Sequence, residues 1–319
     1  MRDVIYLRPR SADEALAMHA AHAGARYFAG GTTLYDLMKL GVEAPAALVD
    51  VSAIGDLAKL DASDPSELRI GAMMSMSELA EDPVLRAEFP ALAESLWKAA
   101  SQQLRNMATV GGNLLQRTRC AYFRGGAEYA CNKRKTGSGC AAIDGLNRGH
   151  ALFGGSADCV AVYPGDWAVA LAAFDAVVDV ASARGICSGT GSTGSTGSTR
   201  TIPLRELHRE PGDTPQRETN IGADELIVRI RVPRVAAGKA SVYHQISSAL
   251  DSNSSNVQTQ VWHRKAPTFL KAFFIRSIWV CSTLACSRSV GRCAMLSLTP
   301  CNTASGVLRL WARSSRESR

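Results

Sequence analysis

The chain has 319 residues, 46% hydrophobic and 20% charged, the balance of a globular protein with room for two domains of ordinary size. Its formal net charge of +7 invites a nucleic-acid reading. However, ten Lys/Arg against two acidic residues (Asp251 and Glu317) fall after Gln245, so the body is near neutral and no nucleic-acid partner is expected. No run approaches the ~18 apolar residues of a membrane span, so no membrane partner is expected either. The opening "MRDVIYLRPRSADEALAMHAAHAG" lacks the basic and apolar regions and the cleavage site of a secretory signal, and a cytoplasmic location is expected.

In chain order, Ser11 and Glu14 fit a capping box opening a helix that Gly24 can close. "ARYFAGG" is a short strand running into glycines, "TTLYDLMKLG" a helix start, and "AALVDVS" a buried strand with Val49 and Val51 in β-branched positions. "ELRIGAMMS" is another strand, followed by a second capping box at Ser75 and Glu78. Residues 91–104 carry one helical period through Leu92, Leu96, Trp97, Ala100 and Leu104. Residues 166–182 predict a short helix and then a strand. "TIPLREL" and "DELIVRIRVP" read as strand text, resuming after the low-complexity "GTGSTGSTGST". From residue 246, serine, arginine and cysteine rise and no element has clear caps.

Gly189, Gly191 and Gly194 match G-x-G-x-x-G literally. A dinucleotide fingerprint needs a helix to open there, and Ser/Thr/Gly repeats run on to Arg200 instead, so the match reads as linker. Two other glycine sites have better context. Gly30-Gly31-Thr32-Thr33 stands between a strand and a helix, where successive amides and hydroxyls can form an anion-holding nest. Asn106, Thr109, Gly111, Gly112 and Asn113 repeat the theme after a helix. Taken singly, each also reads as a tight turn, the first capped by Thr33. Cysteines 120, 131, 140 and 159 are spaced C-x10-C-x8-C-x18-C, unlike the paired ligands of zinc ribbons or the tight run of ferredoxins. Spacing alone leaves buried free thiols and a loose metal site both open; disulfides are not expected without a secretory signal.

Together, "FAGGTTLYDLMK" and "RNMATVGGNLLQRTRC" resemble the FAD-binding subunit of molybdenum hydroxylases, the medium chain of the xanthine and carbon monoxide dehydrogenase group. The cysteine segment, with "GSGCAAIDGLNRGHALFGGSADCVAVYPGDWAVAL", is most similar to the flavin subunit of periplasmic aldehyde oxidoreductases. The resemblance covers about 1–185 and 200–243. It implies an α+β chain with the two-subdomain FAD-binding fold of the vanillyl-alcohol oxidase (PCMH) type, a cysteine-rich insertion and a degenerate C-terminal region. The implied divisions are FAD-binding subdomain 1 at 1–55 and subdomain 2 at 56–235. The second includes an iron–sulfur insertion at 118–160 and the low-complexity insert at 185–199, and 236–319 is left as the remnant of a C-terminal domain.

The resemblance also implies roles. Ala29, Gly30, Gly31, Thr32 and Thr33 would grip the FAD diphosphate. Asn106, Thr109, Gly111, Gly112 and Asn113 would supply a hydroxyl, amides and a side-chain amide to the cofactor. Asp166 would contact the sugar and ribityl region, besides serving as a helix N-cap, and Ile227 would pack near the flavin. Cys120, Cys131, Cys140 and Cys159 would hold a [4Fe-4S] cluster, with Cys187 incidental and His150 structural. The basic residues around them (Arg117, Arg119, Arg124, Lys133, Arg134 and Lys135) would offset cluster charge, form a solvated loop or face an acidic partner. The implied function is that of an oxidoreductase subunit that acts on no substrate itself. It would take electrons from the [2Fe-2S] small subunit of a heterotrimer, whose large subunit carries the molybdenum cofactor, and pass them through FAD to an external acceptor. Export with a signal-bearing partner would place it in the periplasm.

Two departures stand out. The likeness stops at His244, and Gln245 occupies the place of a lysine that lies near the flavin in the family. Residues 246–319 lack the periodicity of the family's C-terminal domain and read as an out-of-frame or rearranged end, with the low-complexity insert as a second lesion and poor solubility as a consequence. A zinc-dependent nucleic-acid-binding module, with the four cysteines as zinc ligands and a basic tail, and a degenerate subunit that binds nothing are the rival readings.

Overall fold

The computed structural model describes residues 3–151, 154–183 and 198–246, side chains as far as residue 243, and the backbone of three later strands within 258–285. The N-terminal lobe begins with β1 (Ile5–Leu7), α1 (Ala12–Ala21), β2 (Ala25–Phe28), α2 (Leu34–Lys39) and β3 (Ala47–Asp50), whose strands form a parallel sheet in the order β1-β3-β2. Ser11 caps α1 by accepting from the Glu14 amide, while the Glu14 carboxylate reaches the amide of Arg10 rather than that of Ser11. Gly24, at φ +76°, turns the chain back into β2. All four residues of the central strand β3 are buried.

The second lobe contains β4 (Leu60–Asp61), β5 (Glu67–Gly71), α3 (Met76–Glu81), α4 (Pro83–Glu88), α5 (Pro90–Trp97), α6 (Gln102–Met107), α7 (Val110–Leu114), α8 (Ala121–Arg124), α9 (Asp166–Ala172), β6 (Val177–Ser182), β7 (Ser198–Pro203), α10 (Leu204–Leu207) and β8 (Glu225–Pro233). Its strands form an antiparallel sheet in the order β4-β5-β8-β6-β7. The capping box at Ser75 and Glu78 closes reciprocally. Leu92, Leu96, Trp167 and Ile230 lie within one continuous core. Leu226 and Ala181 instead pack with Leu16 and Val49 of the N-terminal lobe. That seam, where apolar surface of both lobes leaves water, holds them together.

Two expectations change. Residues 91–104 form two helices rather than one. Ala100 turns to φ +49°, and Ser101 then caps α6 by accepting from the Leu104 amide. Arg105 fixes the break by donating from Nη1 to the carbonyls of Ala99 and Ala100 at 2.9 and 3.0 Å. "LREL" is the short helix α10, entered through Pro203, which begins no ladder bond but fits a helix start. Further along the chain, β9 (Ser241–Ile246), β10 (Gln258–His263), β11 (Thr268–Ile275) and β12 (Ile278–Ala285) make a sheet in the order β12-β11-β10-β9. "TFLKAFFI" and "IWVCSTLA" are rich in the β-branched and aromatic residues that suit a pleated ladder. β9 is tied to the body, since Tyr243 is 1% exposed and Ser241 Oγ accepts from the Ala91 amide at 3.2 Å. Gln245 pairs with Thr259, but its side chain lies outside the described set. Gly189, Gly191, Gly194 and Cys187 also fall outside it. The chain resumes at Ser198 in a strand antiparallel to β6, not in a helix.

Candidate functional site

The two glycine turns meet. A Cβ on Gly30 would lie 1.6 Å from the carbonyl oxygen of Met107, so only glycine permits this approach between the loop after β2 and the end of α6. Gly31 adopts φ +71°, and a Cβ there would strike the Phe28 ring at 2.6 Å. Thr33 sits at the N-cap of α2 but makes no side-chain cap bond. Among the described residues, the amides of Gly30, Gly31, Thr32 and Thr33 donate no hydrogen bond, the unspent donors an anion would use.

The second turn is spent partly on packing. Val110 and Gly111 donate to the carbonyls of Met74 and Ala72 at 3.0 and 2.9 Å, and a Cβ on Gly111 would meet Ala72 Cβ at 2.7 Å. Thr109 caps α7, its hydroxyl accepting from the Gly112 amide at 3.1 Å. That bond occupies the Gly112 donor, while the Thr109 hydroxyl keeps its own proton to give. Asn106 is exposed, accepts from the Ser77 hydroxyl at 2.6 Å and does not line the cavity described next.

Between the lobes within the first 243 residues lies a cavity of about 1360 Å³, larger than the ~300–1,000 Å³ of ordinary small-ligand pockets. Ala29 to Thr33, Thr109 and Gly111 to Asn113 line it. Asp166 and Ile227, from α9 and β8, line it as well. Asp166 is the first residue of α9 and Gly165 its N-cap, so the aspartate is not the cap itself. Ile227 is 4% exposed, at the register shift where β6 and β8 bulge.

Two lining residues were not anticipated. Tyr163 donates to the carbonyl of Asn113 at 2.9 Å, and burial raises its phenol well above the ordinary value. His208 stacks on Tyr163 with ring centroids 3.8 Å apart, and its Nε2–H donates to the Leu114 carbonyl at 2.8 Å. Burial pulls the His208 pKa down to about 4, so the imidazole is neutral near pH 7. No local pattern marks either residue, because each acts on the second glycine turn from a distant part of the chain.

The four cysteines also gather. Cys120, Cys131 and Cys159 are buried with Phe123 in a small separate core against which Cys140 packs, and Cys131 and Cys140 face each other in an isolated antiparallel bridge. All four are free thiols. Burial raises Cys120, and pushes Cys159 up to about 11 against the opposing pull of Lys133. Among the described residues, no group of three or more His, Cys, Asp or Glu side chains is arranged to hold a single metal ion.

The basic residues here are mostly neither solvated nor free. Lys133 is buried and reaches Glu218 at 2.9 Å and the Pro215 carbonyl at 3.1 Å. Arg117 bridges Glu218 and Glu43, and Arg124 pairs with Asp36. Arg134 donates to the carbonyls of Tyr122 and Phe123, both at 2.7 Å. Arg119 and Lys135 are exposed, and among the described helices none is long and apolar enough to cross a membrane.

Known proteins agree with this architecture. Aldehyde oxidoreductase FAD-binding subunit PaoB of Escherichia coli (strain K12) is 41% identical over 246 residues, which are 77% of this chain and 73% of that protein. The carbon monoxide dehydrogenase medium chain of Hydrogenophaga pseudoflava is 34% identical over 110 residues, 34% of this chain and 38% of the relative. Among solved structures, carbon monoxide dehydrogenase from H. pseudoflava superposes with TM-score 0.58 at 21% identity, covering 87% of this chain and 77% of that one. Reconstituted carbon monoxide dehydrogenase from Oligotropha carboxidovorans gives TM-score 0.59 at 20% identity, covering 87% and 78%. At such identities the structures establish the α+β fold. Residues 2–235 match the family described as the FAD binding domain in molybdopterin dehydrogenase, and the chain belongs to that family.

Proposed function

We propose that this chain is the flavin-carrying, electron-transferring subunit of a molybdenum-dependent aldehyde- or xanthine-type oxidoreductase, with a large molybdenum subunit and a small [2Fe-2S] subunit as partners. The observation that carries the reading is the junction of the two glycine turns, where Gly30, on the wall of the cavity, lies against Met107. Four unspent amides at Gly30 to Thr33 would take the diphosphate. Thr109 and Asn113 would hold the middle of the cofactor, Asp166 its sugar hydroxyls, and Ile227 would exclude water beside the ring. Asn106, outside the cavity lining, contributes by placing this segment, and Gly111 by packing closely on Ala72 at the cavity wall. Bound FAD would supply the redox chemistry, accepting and releasing electrons between partner and external acceptor.

The same reading assigns Cys120, Cys131, Cys140 and Cys159 to a [4Fe-4S] cluster. Four free thiols in and against one small core, three of them buried, offer the all-thiolate donor set such clusters take. A cubane gives one thiolate to each of four irons, so its ligands need not close around one ion. Zinc ligation by the same cysteines would need that closure, and a zinc-dependent nucleic-acid module is not favoured.

Anaerobic purification of the full chain, alone and with its subunits, tests the assignment. Flavin absorbance with about four irons per chain is expected, and Cys140→Ser should lower iron while sparing FAD. Zinc in place of iron, or a colourless metal-free chain, would sink the cluster assignment; the second outcome would favour the degenerate subunit.

A further inference from the structure

We infer that Lys133, Glu218, Arg117 and Glu43 form a positioning relay that couples the cysteine site to the flavin cavity. The inference rests on the cavity's being the FAD site. Lys133 lies two residues after Cys131, its side chain 3% exposed, and its Nζ is 2.9 Å from Glu218 Oε1. Glu218 also receives Arg117 Nε, and Arg117 gives Nη1 to Glu43. The charges alternate along this chain, and Glu218, Arg117 and Glu43 all line the cavity. The four residues come from the cysteine insertion, the 208–220 loop, the extension of the second glycine turn and the N-terminal lobe.

The 208–220 loop is pinned at both ends. His208 and Thr219 pair in an isolated bridge beside the cavity, while Ser156 of the insertion donates to Gly212 at 2.7 Å and Lys133 to Pro215 at 3.1 Å. A shift of the cysteine segment would therefore draw on Glu218, and through it on Arg117 at the cavity wall. Linkage makes the coupling reciprocal: filling the cavity must restrain the cysteine segment by the same factor. Lys133, Glu218, Arg117 and Glu43 touch no reacting atoms; they act by fixing the elements that do.

The test uses the full chain, freed of metal by chelation and kept anaerobic, with iodoacetamide as the thiol probe and saturating FAD. In the wild type, FAD should slow alkylation of Cys120 and Cys159 by about tenfold, within the ~5–150-fold usual for coupled sites. Glu218→Gln and Lys133→Met should each bring the ratio of rates without and with FAD close to one, and the double variant should change it no further. A general loosening would raise both rates and leave their ratio intact. If Glu218→Gln fails to fold, Lys133→Met and Glu43→Gln cut the same chain at either end. An unchanged ratio in folded, FAD-saturated variants would overturn the relay, as would FAD binding to the wild type without protection. Failure of the wild type to bind FAD would instead overturn the cofactor reading, and the relay with it.

Discussion

A single missing methyl group decides whether the two glycine turns can touch. Gly30→Ala must push Met107 away, since the new Cβ would sit 1.6 Å from its carbonyl oxygen. Overpacking of this kind costs ~1–3 kcal/mol, so FAD affinity in fluorescence titration should fall by about 10- to 100-fold. Gly55→Ala, where the Cβ meets open space, should leave it unchanged. His208 yields a prediction of different form. Its folded pKa, about 4, lies below the unfolded value of about 6.5, so between these values the unfolded chain holds a proton that the native chain does not. Stability from this group is complete above pH 6.5 and drains as pH falls toward 4, by about 2–3 kcal/mol. Urea unfolding at pH 7.5 and 4.5 should show a smaller acid loss for His208→Leu than for the wild type. The glycines were legible because a turn is written in neighbouring residues. His208 and Tyr163 were not, because their value lies in hydrogen bonds to Leu114 and Asn113, far away in the chain.

At the scale of elements, the break between α5 and α6 shows why periodicity misled. Leu92 and Leu96 are buried, whereas Trp97 is 50% and Leu104 47% exposed, so the apolar stripe does not continue across Ala100. The residue that decides the matter is a cation. Arg105 is 7% exposed, spans the turn to two carbonyls, and lies 5.0 Å over the Trp97 ring. Arg105→Ala should cost about 2–3 kcal/mol in denaturant unfolding, because charge-assisted bonds to partly buried carbonyls are lost. Arg105→Lys should recover only part of this, lacking the planar fork. Two central strands were better read: "ALVD" and "LIVRIRV" announce burial in their own composition.

At the scale of the whole molecule, the body extends into the segment where the family likeness fades. Tyr243 is 1% exposed within the main core and Lys98 lies 5.5 Å over its ring, so β9 belongs to the second lobe in packing terms. Tyr243→Ala should cost about 3–5 kcal/mol, the scale of deleting a buried aromatic, seen as a lower denaturant midpoint with an unchanged slope. The sheet topology needed long-range pairing to be seen, since β8 inserts between β5 and β6 from far down the chain. The same sheet explains how the chain accommodates its Gly-Ser-Thr repeats. They join β6 to β7 beyond the Ser182–Ser198 pair, at an outer strand whose Thr199, Arg200 and Thr201 face solvent. Lengthening a loop that closes across an intact ladder costs little, about 0.6 kcal/mol for each doubling of length. The end of the β6–β7 ladder at the Ser182–Ser198 pair is therefore a natural splice point, where an engineer can thread in a label on the side of the sheet farthest in strand order from β4 and β5.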